Sequence, residues 1–208
     1  MHFARIRTFA LLALLALGGC ASVQPISDAD RKAITSVTIN PSVTKAPDIY
    51  YFGPGMTAGL MFGAVGAIIA APAMERSRKS FQEYTDKHGI SLERIVLEEV
   101  EGALRRAGRM PLAAQPGPGA AVLHVAIPQW GFSVPHGFSG MLVPVLQIRC
   151  ELKDAQGKLV WSSSERVLPL GNPVEPLSPD AVRNDPKAME AAWRGAARHI
   201  AAEIAKNY

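Results

Sequence analysis

Residues 143–167 read VPVLQIRCELKDAQGKLVWSSSERV, and this stretch decides the fold. In its first half, apolar and polar side chains alternate with a period of two, which is typical of a strand with one buried face. Residues 154–158 read DAQGK, a turn composition, and a second apolar run follows them. The stretch therefore predicts an antiparallel hairpin of strands 143–153 and 159–167, with Cys150 on the buried face.

Two amphipathic helices flank the hairpin along the chain. The first is predicted over 92–107, with Ser91 as its N-cap and Gly108 just past its end. The second follows Asp185 as N-cap and has Pro186 at its first position. Their apolar stripes have helical spacing. The stripes are Leu92, Val96, Val100, Ala103 and Ala107 in the first helix and Met189, Trp193, Ala196, Ile200 and Ile204 in the second.

Further short strands are predicted at 36–40 and 121–127, because apolar residues alternate there and Pro or Gly lies nearby. The resulting order is strand, helix, strand, strand, strand, helix. It predicts one α+β domain over 36–208, a two-layer sandwich in which two amphipathic helices cover a small antiparallel or mixed sheet. Residues 128–142 and the proline-rich residues 168–186 are expected to be irregular connections.

The first twenty residues have the pattern of a secretory signal. Arg5 and Arg7 precede the apolar run FALLALLAL at 9–17, which is too short to span a bilayer. The following LGGC at 17–20 resembles the bacterial lipobox. That resemblance implies removal of residues 1–19 and acylation of Cys20, and the absence of Asp after the cysteine favours the outer membrane, facing the periplasm. Residues 20–35 are expected to be a polar tether.

Charge and cysteine content exclude some classes of function. Loss of Arg5 and Arg7 lowers the formal net charge from +4 to +2, and no basic patch alternates with aromatics, so no nucleic-acid partner is expected. Acylation of Cys20 would leave Cys150 alone, so no internal disulfide is expected.

An uncharged segment at 49–74 reads IYYFGPGMTAGLMFGAVGAIIAAPAM. Small residues recur every four positions, at Gly55, Gly59, Gly63 and Ala67, and on a helix they would form one smooth face for close packing. The segment resembles glycine-zipper segments of other bacterial envelope lipoproteins, which implies self-association or membrane contact. Two alternatives stay open, an apolar glycine-rich helix buried in its own domain and a glycine-rich apolar loop.

Aromatic residues mark a second candidate site in the predicted 128–142 loop. Trp130, Phe132 and Phe138 could anchor a partner, since aromatic side chains dominate binding hot spots. The alternative is that they cover one end of the core.

The sequence contains no recognisable catalytic or metal-binding constellation. Residues 137–141 read GFSGM and lack the last glycine of a nucleophile elbow, and no two histidines of the mature chain have metal-ligand spacing. We therefore expect no catalytic residue, no metal and no cofactor.

The order of elements resembles the small periplasmic domains of envelope-assembly lipoproteins. It implies a non-enzymatic accessory or structural component of an outer-membrane assembly, export or maintenance complex, with the membrane, further copies of itself or envelope proteins as partners. One alternative is a monomeric periplasmic binding module that recognises a protein or envelope polymer through 128–142. An enzyme with an unfamiliar site is a third interpretation.

Replacing Gly59 and Gly63 with Leu tests the self-association hypothesis. The leucine side chains would fill the smooth face and prevent close helix packing, so we expect the double variant to lose the oligomer that the unaltered chain forms. Chemical crosslinking measures this. An unchanged pattern of crosslinked species would contradict the hypothesis.

Overall fold

A computed structural model describes residues 23–53, 79 and 82–208 of the chain. These residues form an α+β fold with a mixed sheet of seven strands. The elements in chain order are β1 (Val23–Gln24), α1 (Asp28–Ala33), β2 (Ser36–Ile39), β3 (Thr44–Lys45), β4 (Tyr50–Phe52), α2 (Leu92–Ala107), β5 (Ala120–Ser133), β6 (Val143–Lys153), β7 (Leu159–Val167), α3 (Pro179–Asn184) and α4 (Pro186–Lys206). Residues 82–87 are also helical.

The long strand β5 organises the sheet. Its one edge pairs antiparallel with β6, and β6 in turn pairs antiparallel with β7. Its other edge pairs in parallel with β2, β3 and β4, which follow one another along it. The short strand β1 adds to the outer edge of β7, antiparallel. The sheet is therefore mixed, because the three short strands on one edge of β5 are parallel to it and the other pairs are antiparallel.

The structure confirms the hairpin. β6 and β7 have the predicted bounds, 143–153 and 159–167. Alternate residues of β6 from Leu146 to Leu152 are buried, Cys150 among them. The Asp154 carboxylate accepts hydrogen bonds from the backbone N–H groups of Gln156 and Lys158, at 3.0 and 2.9 Å, and so closes the turn.

The two predicted amphipathic helices are confirmed as α2 and α4. The Ser91 hydroxyl accepts the Arg94 N–H at 3.2 Å, and Asp185 accepts the N–H groups of Lys187 and Ala188 at 3.0 Å. These caps satisfy backbone donors that have no partner inside the helix. Gly108 ends α2 in the left-handed region, at φ 61°.

An ion-pair cluster joins α2 to α4. Glu99 lies between the helices and accepts Nε and Nη2 of Arg198 at 3.2 and 3.3 Å. Arg194 bridges Glu98 at 2.8 Å and Glu190 at 3.0 Å, and these contacts raise its pKa above the ordinary value for a guanidinium. Because Glu99 is 9% exposed, its pairing offsets the cost of burying a carboxylate there.

The predicted tether is wrong from Val23 onward. Within 20–35, β1 pairs with Ser162 and Ser163 of β7, and α1 follows it directly. The Ser27 hydroxyl caps α1, and Asp30 of α1 reaches Lys158 in the hairpin turn at 3.1 Å. A polar composition indicated a linker, but the chain lies along the sheet edge because its backbone groups and charges find partners there.

Two predicted connections also contain regular structure. β5 runs to Ser133, so residues 128–133 are a strand and not the start of a loop. Within 168–186, a short helix, α3, begins after Ser178. Pro128 and Gly131 suggested a loop, yet the strand crosses both, with a shift in its pairing to β6 between Ala126 and Gln129.

Most of the uncharged segment lies outside the described residues. Of 49–74, only residues 49–53 are described, and they hold the buried Ile49 and strand β4. In the part of the chain that the structure does describe, no helix is both long enough and apolar enough to cross a bilayer.

Gly131→Ala should destabilise the fold strongly. Gly131 has φ 144°, and an added Cβ would collide with the backbone of Tyr50 in the neighbouring strand β4. We expect the free energy of unfolding to fall by about 3 kcal/mol, measured by urea denaturation of the Cys20→Ser chain. Gly117→Ala is the matched control, because a Cβ there meets no atom within 4 Å. Equal losses in the two variants would contradict the steric explanation.

Candidate functional site

Several residues singled out from the sequence lie outside the described residues. They are the lipidation residue Cys20 and the small residues Gly55, Gly59, Gly63 and Ala67. Their roles in lipidation, self-association or membrane contact stay predictions.

Trp130 and Phe132 belong to the core. They are 1% and 0% exposed, and both rings contact Trp193 of α4, with ring centroids 5.7 and 5.4 Å apart. The Trp130 Nε1–H donates to the Ala46 carbonyl at 2.9 Å, so its polar atom is satisfied. This corrects the expectation that both residues lie on an exposed loop, and it agrees with the alternative that these two rings cover one end of the core.

Phe138 differs from the other two aromatics because it is fully exposed. It lies on residues 134–142, the part of the predicted loop that follows β5. Ser139 and Met141 shape this loop, since the Ser139 hydroxyl accepts the Met141 N–H at 3.0 Å.

Exposed apolar side chains collect at one end of the sheet. Among the described residues, the exposed large ones are Tyr50, Phe138, Met141, Leu168 and Leu170, which we call the apolar rim. Tyr50 begins β4 and pairs with Gly131 near the end of β5. Phe138 and Met141 lie between β5 and β6, and Leu168 and Leu170 follow β7. Antiparallel pairing brings the end of β5, the start of β6 and the end of β7 to the same end of the sheet.

Hydrogen bonds hold together the loops at 134–142 and 167–174, which carry most of the apolar rim and which we call the rim loops. Leu142 and Leu177 exchange backbone hydrogen bonds of 2.8 Å each. The Asn172 side-chain amide donates to the carbonyls of Pro144 and Leu168, at 2.7 and 3.0 Å. The apolar rim is therefore a fixed surface built from three parts of the chain.

The rim loops contain no charged side chain. Residues 134–142 read VPHGFSGML and residues 167–174 read VLPLGNPV, so neither holds Asp, Glu, Lys or Arg. Arg166 and Glu175, both exposed, flank the second loop. A grouped set of exposed apolar residues in a polar surround is typical of a protein or membrane contact.

A groove of about 510 Å³ runs beside Trp130 and Trp193, and two of its charged groups, Lys45 and Glu93, pair with each other. Lys45 Nζ lies 2.7 Å from the Glu93 carboxylate and 4.5 Å from the centroid of the Trp130 ring. Burial tends to raise the pKa of Glu93, but its hydrogen bond and charge contact with Lys45 bring the pKa below its ordinary value. Lys45 therefore serves to hold α2 and Trp130 in place.

A second groove, of about 530 Å³, lies along β5 and β6. Here Arg149 pairs with Glu151 at 2.7 Å, and the His124 ring contacts the Asn40 side-chain amide at 3.2 Å. Within 23–53, 79 and 82–208, no three His, Cys, Asp or Glu side chains group as metal ligands. In the first groove, the Ser91 hydroxyl that caps α2 also lies 3.4 Å from the Glu93 carboxylate.

Cys150 should be chemically inert in the folded protein. Complete burial raises the pKa of its thiol to about 12. Because the thiolate is the reactive form, we expect maleimide labelling at pH 8 to be slower than that of a free thiol by about a thousandfold. The Cys20→Ser chain leaves Cys150 as the sole cysteine, and the same chain in urea is the control. Fast labelling of the native chain would contradict the burial.

Comparison with known proteins assigns no family to the chain. No family model matches it, and no curated protein matches it. Among solved structures, it is similar to protein XCC0632 from Xanthomonas campestris, of family DUF330, with 12% identity, 83% of this chain and 82% of that chain covered, and a TM-score of 0.46. It is also similar to a PelC dodecamer from Paraburkholderia phytofirmans, with 16% identity, 83% and 87% covered, and a TM-score of 0.33. These similarities are too low to support a functional assignment.

Proposed function

We propose that this chain is a lipid-anchored envelope protein without enzymatic activity, held at the periplasmic face of the outer membrane. In this proposal it is an accessory or structural component of an assembly, export or maintenance complex. Its two long helices cover one face of the sheet as the second layer, and the apolar glycine-rich segment adds a further helix that contacts the membrane or other copies of the chain.

The observation that carries the proposal is the closeness of the fold to the lipobox cysteine. Val23 is already paired with Ser163, and it comes only three positions after Cys20. Three extended residues span at most about 10 Å. An acylated Cys20 would therefore hold the domain directly against the bilayer, where a membrane-associated complex needs its subunits.

The chemistry of the described residues supports a non-enzymatic role. The buried Cys150 has a thiol that stays protonated at neutral pH. Lys45, Glu93, Arg149 and Glu151 line the two grooves and are engaged in ion pairs with one another. Such pairing stabilises the fold and leaves these groups little freedom to act on a substrate.

A monomeric binding module is the second candidate, and the exposure of Phe138 favours it. Its contact surface is now confined to 134–142, because residues 128–133 form the end of β5. The mass of the detergent-free Cys20→Ser chain in light scattering separates the two candidates. A monomer favours the binding module, and a defined oligomer favours the assembly component.

Cys20→Ser should abolish lipid attachment. The thiol of Cys20 is the acceptor of the lipid in the lipobox pattern, and a serine hydroxyl does not replace it. We expect the unaltered chain, produced in a bacterium fed radioactive palmitate, to carry the label and to sediment with membranes, and the variant to carry none. Ser22→Ala is the matched control and should keep the label. Absence of label from the unaltered chain, or its persistence in Cys20→Ser, would contradict the anchor.

A further inference from the structure

We infer that the apolar rim is a membrane-docking surface, which rests on the periplasmic face of the lipid bilayer that holds the Cys20 lipid. This inference rests on the proposed anchor and goes beyond it, because it assigns the orientation of the domain and the residues that touch lipid. The occupant of the surface is the headgroup and upper acyl region of a phospholipid bilayer.

The direction of β1 is the first support. β1 is antiparallel to β7, with Val23 opposite Ser163 and Gln24 opposite Ser162. β7 runs from the hairpin turn to Leu168 on the rim. The N-terminal end of β1, where the chain arrives from Cys20, therefore points toward the rim end of the sheet.

The length of the connection is the second support. Leu168 lies five positions beyond Ser163, which corresponds to about 17 Å along a strand. The connection from Val23 back to Cys20 spans at most about 10 Å. When the N-terminal end of β1 faces the bilayer, a connection shorter than the distance from Val23 to the rim brings the rim into contact with the bilayer.

The contrast between the two ends of the sheet is the third support. Residues 134–142 and 167–174 hold no Asp, Glu, Lys or Arg, and they expose Phe138 completely and 81% of Leu170, while the exposed charges of Arg166 and Glu175 border them. At the opposite end, α1 carries acidic residues in its first turn and basic residues in its last, and Asp30 pairs with Lys158 in the hairpin turn. Apolar and aromatic side chains gain free energy at a bilayer interface, whereas a charged end stays in water.

The rim is also the point where the uncharged segment leaves the sheet. Phe52, the last residue of β4, accepts the Val134 N–H at 2.9 Å, at the base of the first rim loop. The uncharged sequence continues from there to Met74. Both the chain that follows Cys20 and the apolar segment therefore join the domain at or toward the rim end.

Single fluorescent labels on the full lipidated chain test this orientation. Phe138→Cys and Leu170→Cys place a thiol on each rim loop, and Gln156→Cys places one on the exposed hairpin turn at the opposite end. Cys150 is buried and Cys20 carries lipid, so a polarity-sensitive nitrobenzoxadiazole label attaches at the new position alone. Each labelled chain is inserted into vesicles of phosphatidylethanolamine and phosphatidylglycerol, and its melting temperature checks that it is folded.

The expected result is that both rim labels shift to the blue and lose most of their emission when the vesicles contain nitroxide-labelled acyl chains. The label on Gln156→Cys should keep the emission it has in buffer. An unquenched rim label on a chain that floats with the vesicles would overturn the inference. A rim label that shifts to the blue without quenching would assign the surface to a second copy of the chain, and this would overturn it too.

Failure of the anchor gives a different result. A chain without lipid would not float with the vesicles at all and would carry no palmitate, whichever residue is labelled. Flotation without quenching therefore contradicts the docking surface alone, and loss of flotation in every variant contradicts the proposed function.

Discussion

The pairing of β5 with strands on both of its edges is the interaction on which the structure depends. One edge holds β6, and the other holds β2, β3 and β4 in succession. The Tyr50 backbone approaches so closely that only a residue without a Cβ fits at position 131. The positions of β4 and of the first rim loop both follow from this contact, because Phe52 and Val134 share a hydrogen bond at its end.

A cluster of aromatic rings fixes the position of α4 on the sheet. Trp193 of α4 packs on Trp130 and Phe132 of β5, and its Nε1–H approaches the Gly131 carbonyl at 3.4 Å. Burial of large aromatic side chains is among the strongest contributions to a core of this size. The charged residues between α2 and α4 add to the packing at the exposed edge of the same contact.

The sequence was informative where local patterns decide the structure. The hairpin at 143–167 and the helix at 92–107 follow from alternation, helical spacing and caps, and the structure confirms their bounds and the predicted start of the last helix at Pro186. The sequence-based predictions failed where contacts with distant segments of the chain determine the local structure. Trp130 and Phe132 lie beside Gly131 and Pro128, which suggested a loop, yet parallel pairing with β4 and contact with Trp193 keep this stretch in the sheet.

The candidate site could be predicted only in part from the sequence, because distant segments of the chain also build it. Phe138 was recognised from its loop composition, but Leu168 and Leu170 were not, because they lie thirty positions away and meet it only through the order of the strands. The uncharged run around them, VLPLGNPV, was the sequence signal for an apolar surface at this place.

The shortness of β1 has a mechanical consequence. Two residue pairs attach it to β7, whereas β5 and β6 pair along most of their length. A pulling force that enters the domain from the N-terminal side acts first on β1 and on the Asp30–Lys158 contact, at the outermost edge of the sheet. Release of the chain up to Ser36 would lengthen the link from Cys20 to about 50 Å while the core strands stay paired. We therefore expect β1 and α1 to detach under such a force before the core strands separate.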